Sequence, residues 1–168
     1  MGTATMGAAR SARALALKKN YSNFPVDPGW GKGNKGDLSE WLPMLDVRIA
    51  LAHGKPSPKI AAIVDTGSPW CLFRADLARS FLDNLDVKNG FPYDIGGVIA
   101  GVKQVAYFHK IRLYVETNWI IDVKAGFLED LSVAGLLGRR GFFENFVVRF
   151  DHTTTPPFFE IEKIPAIN

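Results

Sequence analysis

From Leu45 to Leu51 apolar and intervening positions alternate: Leu45, Val47, Ile49 and Leu51 are separated by Asp46, Arg48 and Ala50. A period of two predicts a strand with one buried face. A turn-rich stretch, "HGKPSPK", then hands over to residues 59–64, whose apolar run "IAAIV" predicts a core strand. "RADLARSFL" sets Leu77, Ala78, Phe81 and Leu82 at helical spacing and predicts a short amphipathic helix. Alternation returns in "VAYFHKIRLYVE", which puts Val105, Tyr107, His109, Ile111, Leu113 and Val115 on one face. "NWIIDVKAGF", "VAGLLG", "FVVRFD" and "PFFEIEKI" predict further strands, and "RRGFFENF" a brief helix. Glycines 96, 97 and 101 lie between strand-like flanks in "DIGGVIAGVKQ", as in a hairpin. Many short strands with one or two short helices imply an all-β fold, a closed β-barrel or a sandwich.

Composition narrows the class. A chain of 168 residues, 47% hydrophobic and 22% charged, suits one globular domain and excludes a disordered chain. No window nears the ~18 consecutive apolar residues of a membrane span, so no membrane partner is expected.

The charge is uneven. Residues 1–36 hold six basic residues against Asp27 alone, whereas residues 37–168 hold 14 basic and 16 acidic. The basic balance therefore belongs to the N-terminal segment, and no nucleic-acid partner is expected for the domain. "MGTATMGAARSARALALKKN" is Ala-rich and acid-free and lacks the apolar centre of a secretory signal. It reads as a disordered basic leader or as a transit-peptide-like start, with a cytoplasmic location favoured. "NFPVDPGWGKGNKG" reads as a linker. The expected organisation is a flexible leader and linker over 1–36 and a folded domain over 37–168.

The reactive side chains cluster at one strand end. Asp65-Thr66-Gly67-Ser68 follows the apolar run directly and occurs once. By itself this could be a turn capped by the aspartate, with Gly67 supplying a positive φ. Cys71 lies among Trp70, Leu72 and Phe73, which predicts a buried thiol and not a nucleophile. His53, His109 and His152 are scattered without ligand spacing, so neither a metal nor a cofactor is expected. Roughly 70 residues after the triplet, Leu136-Leu137-Gly138 precedes "RRGFF".

In order and spacing these three parts resemble the retropepsin-like aspartic proteases: an Asp-Thr/Ser-Gly-Ala/Ser loop, a glycine-containing hairpin flap, and a hydrophobic-hydrophobic-Gly motif. The resemblance covers about residues 42–162. It implies a small closed β-barrel and an aspartic endopeptidase acting on a peptide or protein substrate. One Asp-Thr-Gly supplies one carboxylate, so the implied active form is a homodimer with Asp65 of each chain in a dyad. Asp65, Thr66 and Gly67 would form the catalytic loop, Thr66 bonding across the dyad. Ser68, Ile95, Gly96, Gly97, Val98, Ile99, Leu137 and Gly138 would line the substrate site. Viral members place an acid soon after the triplet to pair with an Arg; here Pro69 and Trp70 stand there, leaving Asp76 as a substitute partner for Arg139. Phe24–Pro25 is similar to the junctions at which viral members release themselves. The competing reading is a non-catalytic dimerisation or peptide-binding module on the same barrel.

Overall fold

A computed structural model describes residues 16–25, 39–83, 85–96, 103–116 and 119–165. Its strands, in chain order, begin with β1 (Ala16–Asn20), β2 (Ser22–Pro25) and β3 (Ser39–Leu42). Then come β4 (Met44–Ala50), β5 (Ile60–Val64), β6 (Cys71–Arg74) and the helix α1 (Ala75–Phe81). A 3-10 turn at Val87–Asn89 leads to β7 (Phe91–Gly96), β8 (Lys103–Val115) and β9 (Trp119–Leu128). The chain closes with β10 (Gly135–Leu137), β11 (Phe146–Asp151) and β12 (Phe158–Lys163).

Six strands close on themselves in the order β4-β5-β10-β6-β9-β8, because β8 returns to pair with β4. The β5–β10 and β6–β9 pairs are parallel and the rest of the ring is antiparallel. This is an all-β fold with a closed barrel, one of the two architectures the pattern allowed and the one the resemblance implied. Closure leaves no free edge within the ring. Alternation set the inner face: Leu45, Val47 and Ile49 of β4 and Ile111, Leu113 and Val115 of β8 are buried, together with Phe73, Phe127 and Leu137.

Strand β8 changes role along its length. Its last four residues, Arg112–Val115, pair with β4 and close the barrel, while its first six, Lys103–Phe108, pair with β7 as a hairpin. In that first half the opposite face is covered: Ala106 packs with Leu72 and Leu128 in a second, smaller cluster.

Three expectations change. Residues 16–25, read as flexible, form two strands: β1 pairs with β12 in a three-stranded sheet, and β2 pairs with β3. Tyr21 between them is buried, and its hydroxyl meets His152 Nε2 at 2.9 Å. Lys19 forms an ion pair with Glu116, which also accepts from the Asp46 N–H at 3.1 Å. The basic composition concealed this strand, because its partner edge lies some 140 residues away in sequence. The Phe24–Pro25 junction thus sits in a paired strand and not in an open linker.

"RRGFFENF" forms successive turns instead of a helix. Gly141 has φ +101°, its N–H donates to the Glu144 carboxylate at 3.0 Å, and its carbonyl accepts from Asn145 Nδ2 at 2.8 Å. At Gly141 side chains thus take the backbone bonds that a helix would use. Within α1 the helical stripe holds for Ala78 and, just past its end, Leu82, but Phe81 is exposed.

Candidate active site

Asp65 stands where β5 leaves the barrel. Its N–H donates to the Leu137 carbonyl at 3.1 Å, so the parallel β5–β10 pairing continues one residue past the strand. The next residues are fixed in the same way: Arg139 N–H donates to the Ser68 carbonyl at 2.9 Å and Arg140 N–H to the Pro69 carbonyl at 3.0 Å. Two segments 70 residues apart are thereby stitched backbone to backbone. Gly138 is required at the crossing, since a Cβ there would lie 2.1 Å from the Trp70 carbonyl oxygen.

Gly67 has a different task. Its N–H donates to Asp65 Oδ1 at 2.8 Å, and a Cβ on it would sit 3.1 Å from that oxygen. Its φ is not in the left-handed region, so close approach to the carboxylate, and not a positive φ, explains the glycine. The bond fixes one carboxylate oxygen of a half-exposed Asp65, which opens on a groove of about 1010 Å³. Such a carboxylate can accept protons from, or donate one to, a molecule in the groove.

The groove gathers Asp65, Gly67 and Ser68 with Ile95 and Gly96 of β7. Gly97, Val98 and Ile99, the expected flap tip, lie outside the described residues. Thr66 is exposed at the loop apex. Ser68 is buried, and its hydroxyl donates to the Trp70 carbonyl at 2.8 Å, holding the loop. Leu137, expected beside a substrate, is fully buried inside the barrel; its neighbour Leu136 faces the groove. The period of two explains the exchange, because adjacent residues of β10 point to opposite faces.

Asp76 does not serve Arg139. It is held by Arg74 through two bonds, Nε–Oδ1 at 3.0 Å and Nη2–Oδ2 at 2.7 Å, and that hydrogen bonding lowers its carboxyl below the usual range. Arg139 instead lines the groove. Cys71 follows the loop directly and is fully buried, and burial pushes its thiol up to about 11, so it is inert at neutral pH.

Sequence reasoning missed Trp70, Tyr93, Asp94, Gln104 and Arg140, all of which line the groove. The guanidinium of Arg140 lies 4.5 Å from the Trp70 ring centroid, a cation–π contact across the stitched segments. For Trp70 a signal was present, since a large aromatic ring beside the triplet invites a place in the groove wall. Asp94 gave none. Among the described residues no helix is long and apolar enough to cross a membrane.

Neither a protein-family model nor a curated protein matches the sequence. Among solved structures, the chain is similar to the crystal structure of a retropepsin-like aspartic protease from Rickettsia conorii. The TM-score is 0.51 at 13% identity, over 94% of this chain and 100% of that one. At that identity the likeness bears on architecture: the fold is a retropepsin-like β-barrel.

Proposed function

We propose that the protein is an aspartic endopeptidase whose active form is a homodimer, with Asp65 from each protomer in one dyad. The observation that carries this reading is the setting of Asp65 at the end of a barrel strand. It is anchored by Leu137 and Gly67 and opens on the groove between the β7–β8 hairpin and the stitched loops. The retropepsin-like fold supports it further.

On this reading two carboxylates about 3 Å apart share one proton, since both cannot ionise together at that distance. The ionised member takes a proton from water as the water attacks the peptide carbonyl carbon. The protonated member gives its proton to the carbonyl oxygen, leaving a neutral tetrahedral diol. Collapse of the diol breaks the C–N bond, with proton transfer to the leaving amine. Activity needs the singly protonated pair, so it falls when the pair gains its second proton and again when it loses its last. The optimum is expected in the acidic to mildly acidic range.

The hydrogen bond from Gly67 to Asp65 would equally cap a loop in a non-catalytic peptide-binding module. A peptide-library digest across pH, with wild type and Asp65→Asn side by side, separates the two. Cleavage by wild type alone supports the endopeptidase. Cleavage by neither, or equally by both, overturns it.

A further inference from the structure

Beside the groove lies a second cavity of about 510 Å³, and Trp70, Tyr93 and Arg140 line both. The walls of this cavity are aromatic. Trp70 meets Phe108 edge-on with centroids 5.0 Å apart, and Tyr93 meets each of them at about 6 Å. Gly126 makes room for this packing, because a Cβ there would lie 2.9 Å from the Phe108 ring. Phe91, directly opposite Phe108 across the hairpin, stays 71% exposed. With Tyr93 also 47% exposed, Phe91 extends the aromatic wall into a contiguous exposed patch, the kind of surface that marks a binding site.

The rim is cationic. Lys110 and Lys124 face each other directly on β8 and β9, an arrangement in which like charges repel. None of the ion pairs among the described residues involves either lysine or Arg140. His109, also at the rim, is held through Nε2 by the Val87 carbonyl at 2.8 Å. No carboxylate lines this cavity, whereas Asp65 and Asp94 both line the groove. A tolerated lysine pair over aromatic walls fits an anion carried on an apolar stem.

We propose that this cavity is a specificity subsite for an acidic side chain of the peptide substrate, with its carboxylate between Lys110 and Lys124 and its stem against the rings. The proposal rests on the endopeptidase reading of the groove. Along β8 the groove-lining Gln104 and the rim residue Lys110 are six positions apart, roughly 20 Å at about 3.4 Å per residue. An extended peptide beside β8 covers that span in about six residues, so an acid at Lys110 lies about six residues from the peptide residue beside Gln104, in the groove that Asp65 also lines.

Two measurements test it and keep its failure apart from that of the endopeptidase. The first uses the full-length Asp65→Asn chain and two decapeptide pools, alike except that one supplies Glu where the other supplies Gln. The Glu pool should bind about tenfold more tightly, as expected for a charge-assisted contact. Its amide shifts should centre on Phe91, Lys110 and Lys124. In the Lys110→Gln/Lys124→Gln background the margin should shrink below about threefold, with a melting temperature no lower than before, since a repulsive pair has been removed. Equal binding of the two pools, or an undiminished margin in the double variant, overturns the subsite.

The second measurement is the wild-type digest, in which one position at a fixed distance from the cut should be enriched in Asp and Glu. Cleavage without that enrichment overturns the subsite and leaves the endopeptidase standing. Glu-selective binding without cleavage supports the cavity as an acidic-peptide site and overturns the endopeptidase.

Discussion

The stitched loop at Asp65–Trp70 and the β7–β8 hairpin face each other across the groove and are built on opposite principles. The loop is tied down by backbone bonds: Asp65 donates to Leu137, Arg139 and Arg140 donate to the Ser68 and Pro69 carbonyls, Gly67 caps the carboxylate and Ser68 ties back to Trp70. In β7 five of six residues are exposed, Phe91 and Tyr93 among them, and among the described residues the strand pairs with β8 alone. A carboxylate that must act within tenths of an ångström needs the first kind of construction. On the proposed endopeptidase reading, a cover that admits and releases a peptide needs the second. The contrast shows where substitutions should harm chemistry and stability together, and where they should touch only ligand preference.

The hardest test of the contrast is Asp65→Asn. It keeps the shape of the loop and the acceptor for the Gly67 N–H, yet removes the carboxylate that the proposed mechanism uses as acid and base. Peptide cleavage should fall by about 10³-fold or more, with a melting temperature within a few degrees of wild type. Retained cleavage in a discontinuous peptide assay would show that the loop does no chemistry.

Gly138→Ala breaks the stitching itself. The added carbon meets the Trp70 carbonyl at 2.1 Å, and backbone on both sides must move. A loss of about 3 kcal/mol in urea unfolding is expected, together with lost cleavage. A fully stable variant would mean the crossing is looser than it looks.

Cys71 reports on the same half through pH. Burial raises its folded thiol from the ordinary 9.0 to about 11. The proton therefore favours the folded chain, and this contribution is intact below about pH 9 and lost as pH rises towards 11. Between pH 8 and pH 10.5 wild type should lose about 2 kcal/mol more stability than Cys71→Ala. Equal losses would place the thiol in contact with water.

Dilution probes the proposed dyad. Far below the dimer dissociation constant, a tenfold dilution should lower specific activity about tenfold, because dimer scales with the square of protomer concentration. An undiminished rate in a sedimenting monomer would end the two-chain mechanism. It would also direct attention to Asp94, the second carboxylate in this chain's own groove wall.

The mildest change belongs to the hairpin. Phe91→Ala should alter stability by no more than about 0.5 kcal/mol, since the ring is already mostly in water. It should still shift peptide preference in the library digest. A large stability loss would show that the hairpin is built like the loop.

Much of this was open to reading from the chain alone. Alternation in β4 and in the second half of β8 named the inner face of the barrel residue by residue, because a strand's period is a local property. The Asp-Thr-Gly-Ser segment and Leu136-Leu137-Gly138 were joined through their resemblance to the motif order of retropepsin-like proteases. The tertiary structure decided what depends on distant partners. It made residues 16–25 into strands, since a basic segment pairs when β12 and β3 offer free edges. It turned Leu136 towards the groove and Leu137 into the core, gave Asp76 to Arg74, and kept "RRGFFENF" from closing into a helix. It also gathered Trp70, Phe91, Phe108, Lys110, Lys124 and Arg140 around one cavity, although they are spread over 71 positions of the chain. Periodicity fixes which face a residue is on; which distant face it meets is set by strand order and closure, and those are properties of the whole chain.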